Sequence, residues 1–352
     1  MDGRRLVLHK LKKDIQQPFS NMHQLRTVIT LGDSKSSFTL LPLLCNESRY
    51  MTVLELSGLP IEKIPDAIGD LFNLRYLGLR DSKVKNLPKS VEKLSNLLTL
   101  DLFESDIHEL PSGIVKLKKL RHLFAERVFD RTGRDFKCLS GVHIPNGLGN
   151  LTNLQTLQSL AAQDESLVHM RYLSYLEVNA SDENEVLLLN VCLPSLQNLV
   201  LRGRLAEGAL DESPLFQAVG GQNLYALSLL WSQLREDPLP SLSRLSNLTR
   251  LEFSKAYNGE QLTFLAGWFP MLKILFLRDL PNVRRLEIAE GAMASLEKLF
   301  LVNLNSMTEV PHGIEFLLPL QYLTFREITN DLFTFLCQCS AIQGKWRYTL
   351  RD

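Results

Sequence analysis

The sequence predicts an α/β repeat solenoid, and three observations predict it. Residues 51–73 (MTVLELSGLPIEKIPDAIGDLFN), 74–96 (LRYLGLRDSKVKNLPKSVEKLSN) and 97–119 (LLTLDLFESDIHELPSGIVKLKK) are consecutive segments of equal length, 23 residues each. Each opens on the same apolar skeleton, Leu-x-x-Leu-x-Leu, with Met51 replacing the first leucine in one of them. Each also carries an aliphatic-proline pair beginning 13 residues after its first apolar anchor: Ile64-Pro65, Leu87-Pro88 and Leu110-Pro111. Self-similarity at such a period marks a stacked architecture, in which no unit buries its apolar face alone and neighbours complete a continuous core.

Leu-x-x-Leu-x-Leu at this period is the signature of a leucine-rich-repeat horseshoe. That fold has a parallel β-sheet on its concave face and short helices, 3-10 turns and loops on its convex face. Taken in order, residues 1–24 lack the pattern and read as an amino-terminal cap or the remnant of a junction. Residues 25–343 read as about 13 repeat units, with anchors at Leu25, Met51, Leu74, Leu97, Leu120, Leu154, Leu173, Leu196, Leu224, Leu248, Leu272, Leu296 and Leu320. Proline after each early strand removes an N–H and fixes φ, so it stops the strand, and the following stretch, such as KSVEKLSN, is expected to make one turn of helix or 3-10 helix. The 34-residue step from Leu120 to Leu154 predicts an insertion near residues 126–145, whose polar part is ERVFDRTGRDFK. Residues 344–352 read as a carboxy-terminal tail.

The 39 Lys and Arg balance 39 Asp and Glu in 352 residues, so no global field gathers nucleic acid or an anionic membrane. The local exception is amino-terminal, where Arg4, Arg5, Lys10, Lys12 and Lys13 oppose only Asp2. No apolar run follows Met1 as a secretion signal, and no leucine-rich stretch is long enough to insert in a bilayer, so a cytoplasmic or membrane-peripheral chain is expected. The five cysteines, Cys45, Cys138, Cys192, Cys337 and Cys339, are irregularly spaced and read as reduced thiols. The seven histidines have no partner at metal-ligand spacing, and Gly344-Lys345 lacks the rest of a phosphate loop. No catalytic residue, cofactor or metal is therefore assigned.

Function then falls to a surface. Strand alternation turns the fourth and sixth positions of each unit inward and the third, fifth and seventh outward onto the concave sheet. Successive strands are about 4.8 Å apart, so Phe276, Phe300 and Tyr322 are expected to form one aromatic band edged by Arg278, Lys298 and Arg326. Phe103, Phe124 and Trp231 are the other aromatic candidates. Exposed aromatics beside arginines are the side chains that dominate protein interfaces. The competing reading is that the carboxy-terminal segment folds over the band and makes it core.

Four stretches give the chain a family resemblance: RRLVLHK from Arg4, LRYLGLRDSKVKNLPKSVEKLSNLLTLDL from Leu74, GVHIPNGLGNLTNLQTLQSL from Gly141, and the run from Glu236 to Asn330 with EDPLPSLSRLSNLTRLEF, AYNGEQLTFLAGWFPMLKIL and VPHGIEFLLPLQYL. Together they resemble the repeat region of plant intracellular disease resistance proteins with coiled-coil, nucleotide-binding and leucine-rich-repeat parts. The resemblance implies a non-catalytic recognition module of plant innate immunity. Its partner would be a pathogen effector, a guarded host protein or the nucleotide-binding module of a receptor. No coiled coil or phosphate loop is present, so nucleotide switching is not carried over. Two alternatives are a signalling scaffold binding a Ras-type GTPase, which the 23-residue Leu-Pro units also resemble, and a hydrolase or ligase using Cys138 or Cys337.

Overall fold

A computed structural model describes residues 4–9, 22–31, 41–128, 135–136, 139–140, 142–143, 145–161, 165–187, 190–217, 221–327 and 347–351. Lys10, Lys12 and Lys13, the centre of the insertion, Cys138, Cys337 and Cys339 lie outside these residues. The chain forms two compact units, residues 1–181 and 182–352, each a leucine-rich-repeat solenoid.

In the N-terminal unit the strands Arg5–His9, Thr27–Leu31, Val53–Glu55, Tyr76–Gly78, Thr99–Asp101, His122–Phe124, Thr156–Ala161 and Tyr175–Asn179 lie side by side in that order. Their pairings are parallel, as in Tyr76 opposite Thr99 and His122 opposite Thr156. Arg5–His9 pairs with Thr27–Leu31, so the segment before Leu25 contributes a strand to the sheet. In the C-terminal unit the order is Asn198–Arg202, Ala226–Leu230, Arg250–Ser254, Ile274–Arg278, Lys298–Val302, Tyr322–Arg326 and Arg347–Arg351. The last strand opposes Tyr322–Arg326 in parallel register, so part of the expected tail also belongs to the sheet.

The apolar skeleton is the core. Leu74, Leu77, Leu79, Leu97, Leu100 and Leu102 are fully buried in one unit, as are Leu272, Leu275 and Leu277 in the other. Each buried leucine withdraws roughly 2 kcal/mol worth of apolar surface from water, and identical spacing stacks the leucines in columns.

The segments returning from the sheet differ between the units for a reason visible in the sequence. Pro65, Pro88 and Pro111, all extended at ψ 145–151°, precede the 3-10 helices Asp66–Asp70, Lys89–Lys93 and Ser112–Lys116. At the equivalent places after Leu248 and Leu272 stand Gln261-Leu262 and Arg285-Leu286. With proline absent, their N–H groups are available, and Gln261–Phe264 pairs with Arg285–Ile288 as a second parallel ladder. The insertion is also structured at its base: Arg127–Val128 and Leu139–Ser140 pair antiparallel. Gly147, at φ +92°, starts the 3-10 turn Leu148–Asn150.

Two repeating devices tie one unit to the next. The eighth residue of nine units is left-handed: Gly58, Asp81, Glu104, Gly203, Trp231, Lys255, Asp279, Asn303 and Glu327 all have positive φ. This bend takes the chain out of the sheet. The residue before the anchor is often asparagine, and its side-chain amide donates to a carbonyl of the preceding unit: Asn73 to Arg49 (3.1 Å), Asn96 to Phe72 (2.8 Å), Asn153 to Lys118 (2.8 Å), Asn223 to Pro194 (2.8 Å) and Asn247 to Gln222 (2.7 Å). Asn96 also accepts a bond from Lys119 at 2.8 Å. Asn96→Ala is expected to cost about 1 kcal/mol of stability, measured by urea unfolding; no loss would mean that water replaces these bonds without penalty.

Candidate functional site

On the sheet face of the N-terminal unit, polar side chains hold one another in place. The Tyr76 hydroxyl donates to Glu55 at 2.6 Å, and Glu55 also accepts the Ser57 N–H at 2.8 Å. Burial, followed by the bond to Glu55, raises the Tyr76 pKa well above its ordinary value, so the phenol stays protonated and donates. Arg80 pairs with Asp101 at 3.1 Å and lies over the Phe103 ring at 4.5 Å. His122 and Phe124 stack with centroids 6.3 Å apart, and Gln158 donates to Glu126 at 2.5 Å. Burial lowers the His122 pKa, and the nearby Arg121 charge lowers it further.

Phe103 and Phe124 therefore occupy the expected face, each covered on one side by a neighbour. Several other positions expected to be displayed are not. Asp101, Glu126, Glu177, Asn179 and Arg202 are all under 10% exposed; Asp101 is held by Arg80 and Glu126 by Gln158 from neighbouring strands. Arg202 is the largest fully buried side chain. Pattern alone shows which way a residue points and says nothing about what then covers it.

In the C-terminal unit Phe276 and Phe300 are directly opposed in register and stack at 5.1 Å and 28°. The expected single band of three aromatics is corrected here. Tyr322 opposes Lys298, and Phe300 opposes Thr324. Tyr322 is a third-position residue and the two phenylalanines are fifth-position residues, so it lies on the adjacent ladder. It meets that ladder through Lys298, whose ammonium is 5.5 Å from the Tyr322 ring centre. Arg278 and Arg326 stand on the seventh-position ladder with Val302 between them. Arg278 pairs with Asp279 at 3.3 Å, and Arg326 is exposed.

Trp231 lies at a left-handed eighth position, and the Lys255 ammonium sits 3.8 Å from its ring centre. Sequence reasoning missed this pair. The signal was available, since Lys255 is the same repeat position one 24-residue unit later. The Arg250–Glu252 pair at 3.1 Å, with Ser228 also donating to Glu252 at 3.1 Å, was missed as well.

Among the described residues no group of three or more His, Cys, Asp or Glu is arranged to hold a metal ion, and no helix is long and apolar enough to cross a membrane. Cys45 is buried, and burial with the Asp70 charge pushes its thiol up to about 12, whereas Cys192 is exposed. At pH 8 iodoacetamide is expected to alkylate Cys192 and leave Cys45 unmodified until the protein is unfolded, as read by peptide mass spectrometry. Equal labelling in the folded state would contradict the burial of Cys45.

The family described as Leucine-rich repeat region matches residues 24–207. The disease resistance protein RPM1 of Arabidopsis thaliana is 34% identical over 344 residues, which is 89% of this chain and 36% of RPM1. RPP8 of the same plant is 26% identical, covering 94% of this chain and 39% of RPP8. The chain thus spans well under half the length of these relatives. In fold it is similar to an internalin (inlF) of Listeria monocytogenes, with a TM-score of 0.61 and 17% identity over 99% of this chain and 86% of the internalin. It is also similar to the ectodomain of GASSHO1/SCHENGEN3 from Arabidopsis thaliana, with a TM-score of 0.56 and 18% identity over 90% of this chain and 40% of the receptor. The chain belongs to the leucine-rich repeat region family, and its repeats are of the kind carried by plant disease resistance proteins.

Proposed function

We propose that this chain is a non-catalytic recognition module of plant innate immunity that senses a pathogen effector or a guarded host protein inside the cell. The sheet face of the C-terminal unit carries the recognition. The observation that supports this most is the Phe276–Phe300 stack, half-buried on the sheet face beside Lys298 and Arg326. Two rings held by each other lose little conformational freedom on binding, and aromatics beside cations are the chemistry of interface anchors. The Phe103 and Phe124 positions offer a second, smaller aromatic surface.

The reading is tested by affinity purification from infected tissue, comparing the natural chain with a Phe276→Ala/Phe300→Ala double variant and a Phe103→Ala/Phe124→Ala double variant. Partners are expected to be lost from the first and largely kept by the second, with unfolding curves confirming that both remain folded. An unchanged partner set in the first variant would overturn the assignment of this face.

A further inference from the structure

We infer that the sheet face of the C-terminal unit binds an acidic protein segment that places an apolar side chain against Phe276 and Phe300. The inference rests on the recognition reading above and specifies the chemistry of its partner. It comes from the charge arrangement of that face. At the displayed positions of the strands from Arg250–Ser254 to Tyr322–Arg326, the cations are Arg250, Arg278, Lys298 and Arg326, and the one carboxylate is Glu252. Glu252 is already neutralised by Arg250 at 3.1 Å, and Arg278 by Asp279 at 3.3 Å. Beside the sheet, Lys273 and Glu297 cancel each other at 3.4 Å.

Lys298 and Arg326 remain, with no carboxylate at ion-pair distance among the described residues. Both lie within one strand of Phe300: Lys298 is on the same strand two residues away, and Arg326 is on the next. Lys298 and Arg326 are one strand apart and four residues apart along the strand direction, roughly 14 Å, so they flank Phe300, from which each stands about 7–8 Å, within about one Debye length at physiological salt. An apolar anchor docking between them brings its flanking residues under a positive potential, which favours Asp and Glu and rejects Lys and Arg.

The N-terminal unit provides the contrast. On its sheet face Asp101, Glu126 and Glu177 are buried, Arg80 is paired with Asp101 at 3.1 Å, and the remaining charges are Arg5 and Glu55, so its face carries no excess of positive charge. The zero net charge of the whole chain thus conceals a positive sheet face on the C-terminal unit, and an acidic segment is suited to that face.

The experiment is selection of a phage-displayed library of random dodecapeptides on the full chain, with counter-selection on Phe276→Ala/Phe300→Ala and on Lys298→Glu/Arg326→Glu. Peptides rich in Asp and Glu around an aromatic or long aliphatic residue are expected. Their affinity should fall by about tenfold or more in the charge-reversed variant and weaken in high salt. Lys298 and Arg326 are not core residues, and a thermal melt shows whether the charge-reversed variant keeps its fold. Peptides that depend on the two phenylalanines but are neutral or basic, or that bind the charge-reversed variant equally well, would overturn this inference and leave the recognition reading intact. Enrichment indifferent to Phe276 and Phe300, or no enrichment at all, would count against the recognition reading itself.

Discussion

Replacing Gly313 by alanine is expected to lower the stability of the C-terminal unit by about 3 kcal/mol or more. Gly313 has φ +80° and starts the 3-10 turn Ile314–Phe316. A left-handed conformation alone costs an L-residue roughly 1–2 kcal/mol. The larger part comes from space, because a Cβ built here lands on the carbonyl oxygen of Ile288, a backbone atom with no rotamer to escape into. The neighbouring backbone is also pinned. The Ile288 N–H donates to the His312 carbonyl at 2.9 Å, and the His312 N–H donates to the Leu286 carbonyl at 2.9 Å. Moving aside therefore strains the ladder that Arg285–Ile288 makes with Gln261–Phe264. Gly291 supplies the control. It is equally left-handed, at φ +81°, but an added Cβ there has no atom within 4 Å, so Gly291→Ala should cost only about 1 kcal/mol. Urea unfolding of both variants separates strain from collision. Equal losses at the two sites would refute the collision.

Much of this architecture is legible in the residues, because stacking allows only one solution for a leucine that recurs at the first, fourth and sixth positions. The placement of those side chains follows from period alone, and so does the identity of the displayed face. What is not legible depends on neighbours. Asp101 is buried because Arg80, from the adjoining repeat, and Phe103, two residues further along the chain, meet around it. Counting strands alone places Tyr322 in the phenylalanine band, whereas ladders run through equal repeat positions, and Tyr322 occupies the third position rather than the fifth. The exchange of 3-10 helix for strand on the return path was readable in principle, since Gln261 and Arg285 stand where earlier units have an aliphatic residue followed by proline. The left-handed eighth residue was harder to see. Gly58, Gly203, Asp81 and Asn303 announce it, but Trp231, Lys255 and Glu327 adopt the same conformation because the sheet on one side and the return segment on the other leave the chain no alternative.

Truncation of Phe300 is expected to weaken partner binding by about 2 kcal/mol or more, on the order of thirtyfold. Phe300 stands between Phe276 and Thr324 on the fifth-position ladder, so its removal takes away the proposed anchor and also the ring against which Phe276 is held at 5.1 Å. Phe276→Ala should therefore cost nearly as much, and the double variant less than the sum. The coupling in such a cycle is expected to be about 1 kcal/mol, as for a stacked aromatic pair in direct contact. Tyr322→Ala is the discriminating comparison. Tyr322 is 39% exposed and lies on the adjacent ladder, where it meets Lys298 rather than either phenylalanine. Its loss should cost below about 1 kcal/mol and show little coupling to Phe276. Isothermal titration of the three single variants and of the Phe276/Phe300 and Phe276/Tyr322 double variants against the purified partner, with unfolding curves measured alongside, distinguishes the arrangements. If Tyr322 couples to Phe276 as strongly as Phe300 does, the three rings act as one surface in the complex, and the ladder register does not decide which side chains anchor the partner. If Phe300 alone carries the loss and Phe276 is silent, the partner reads a single ring and the stack serves only to hold it.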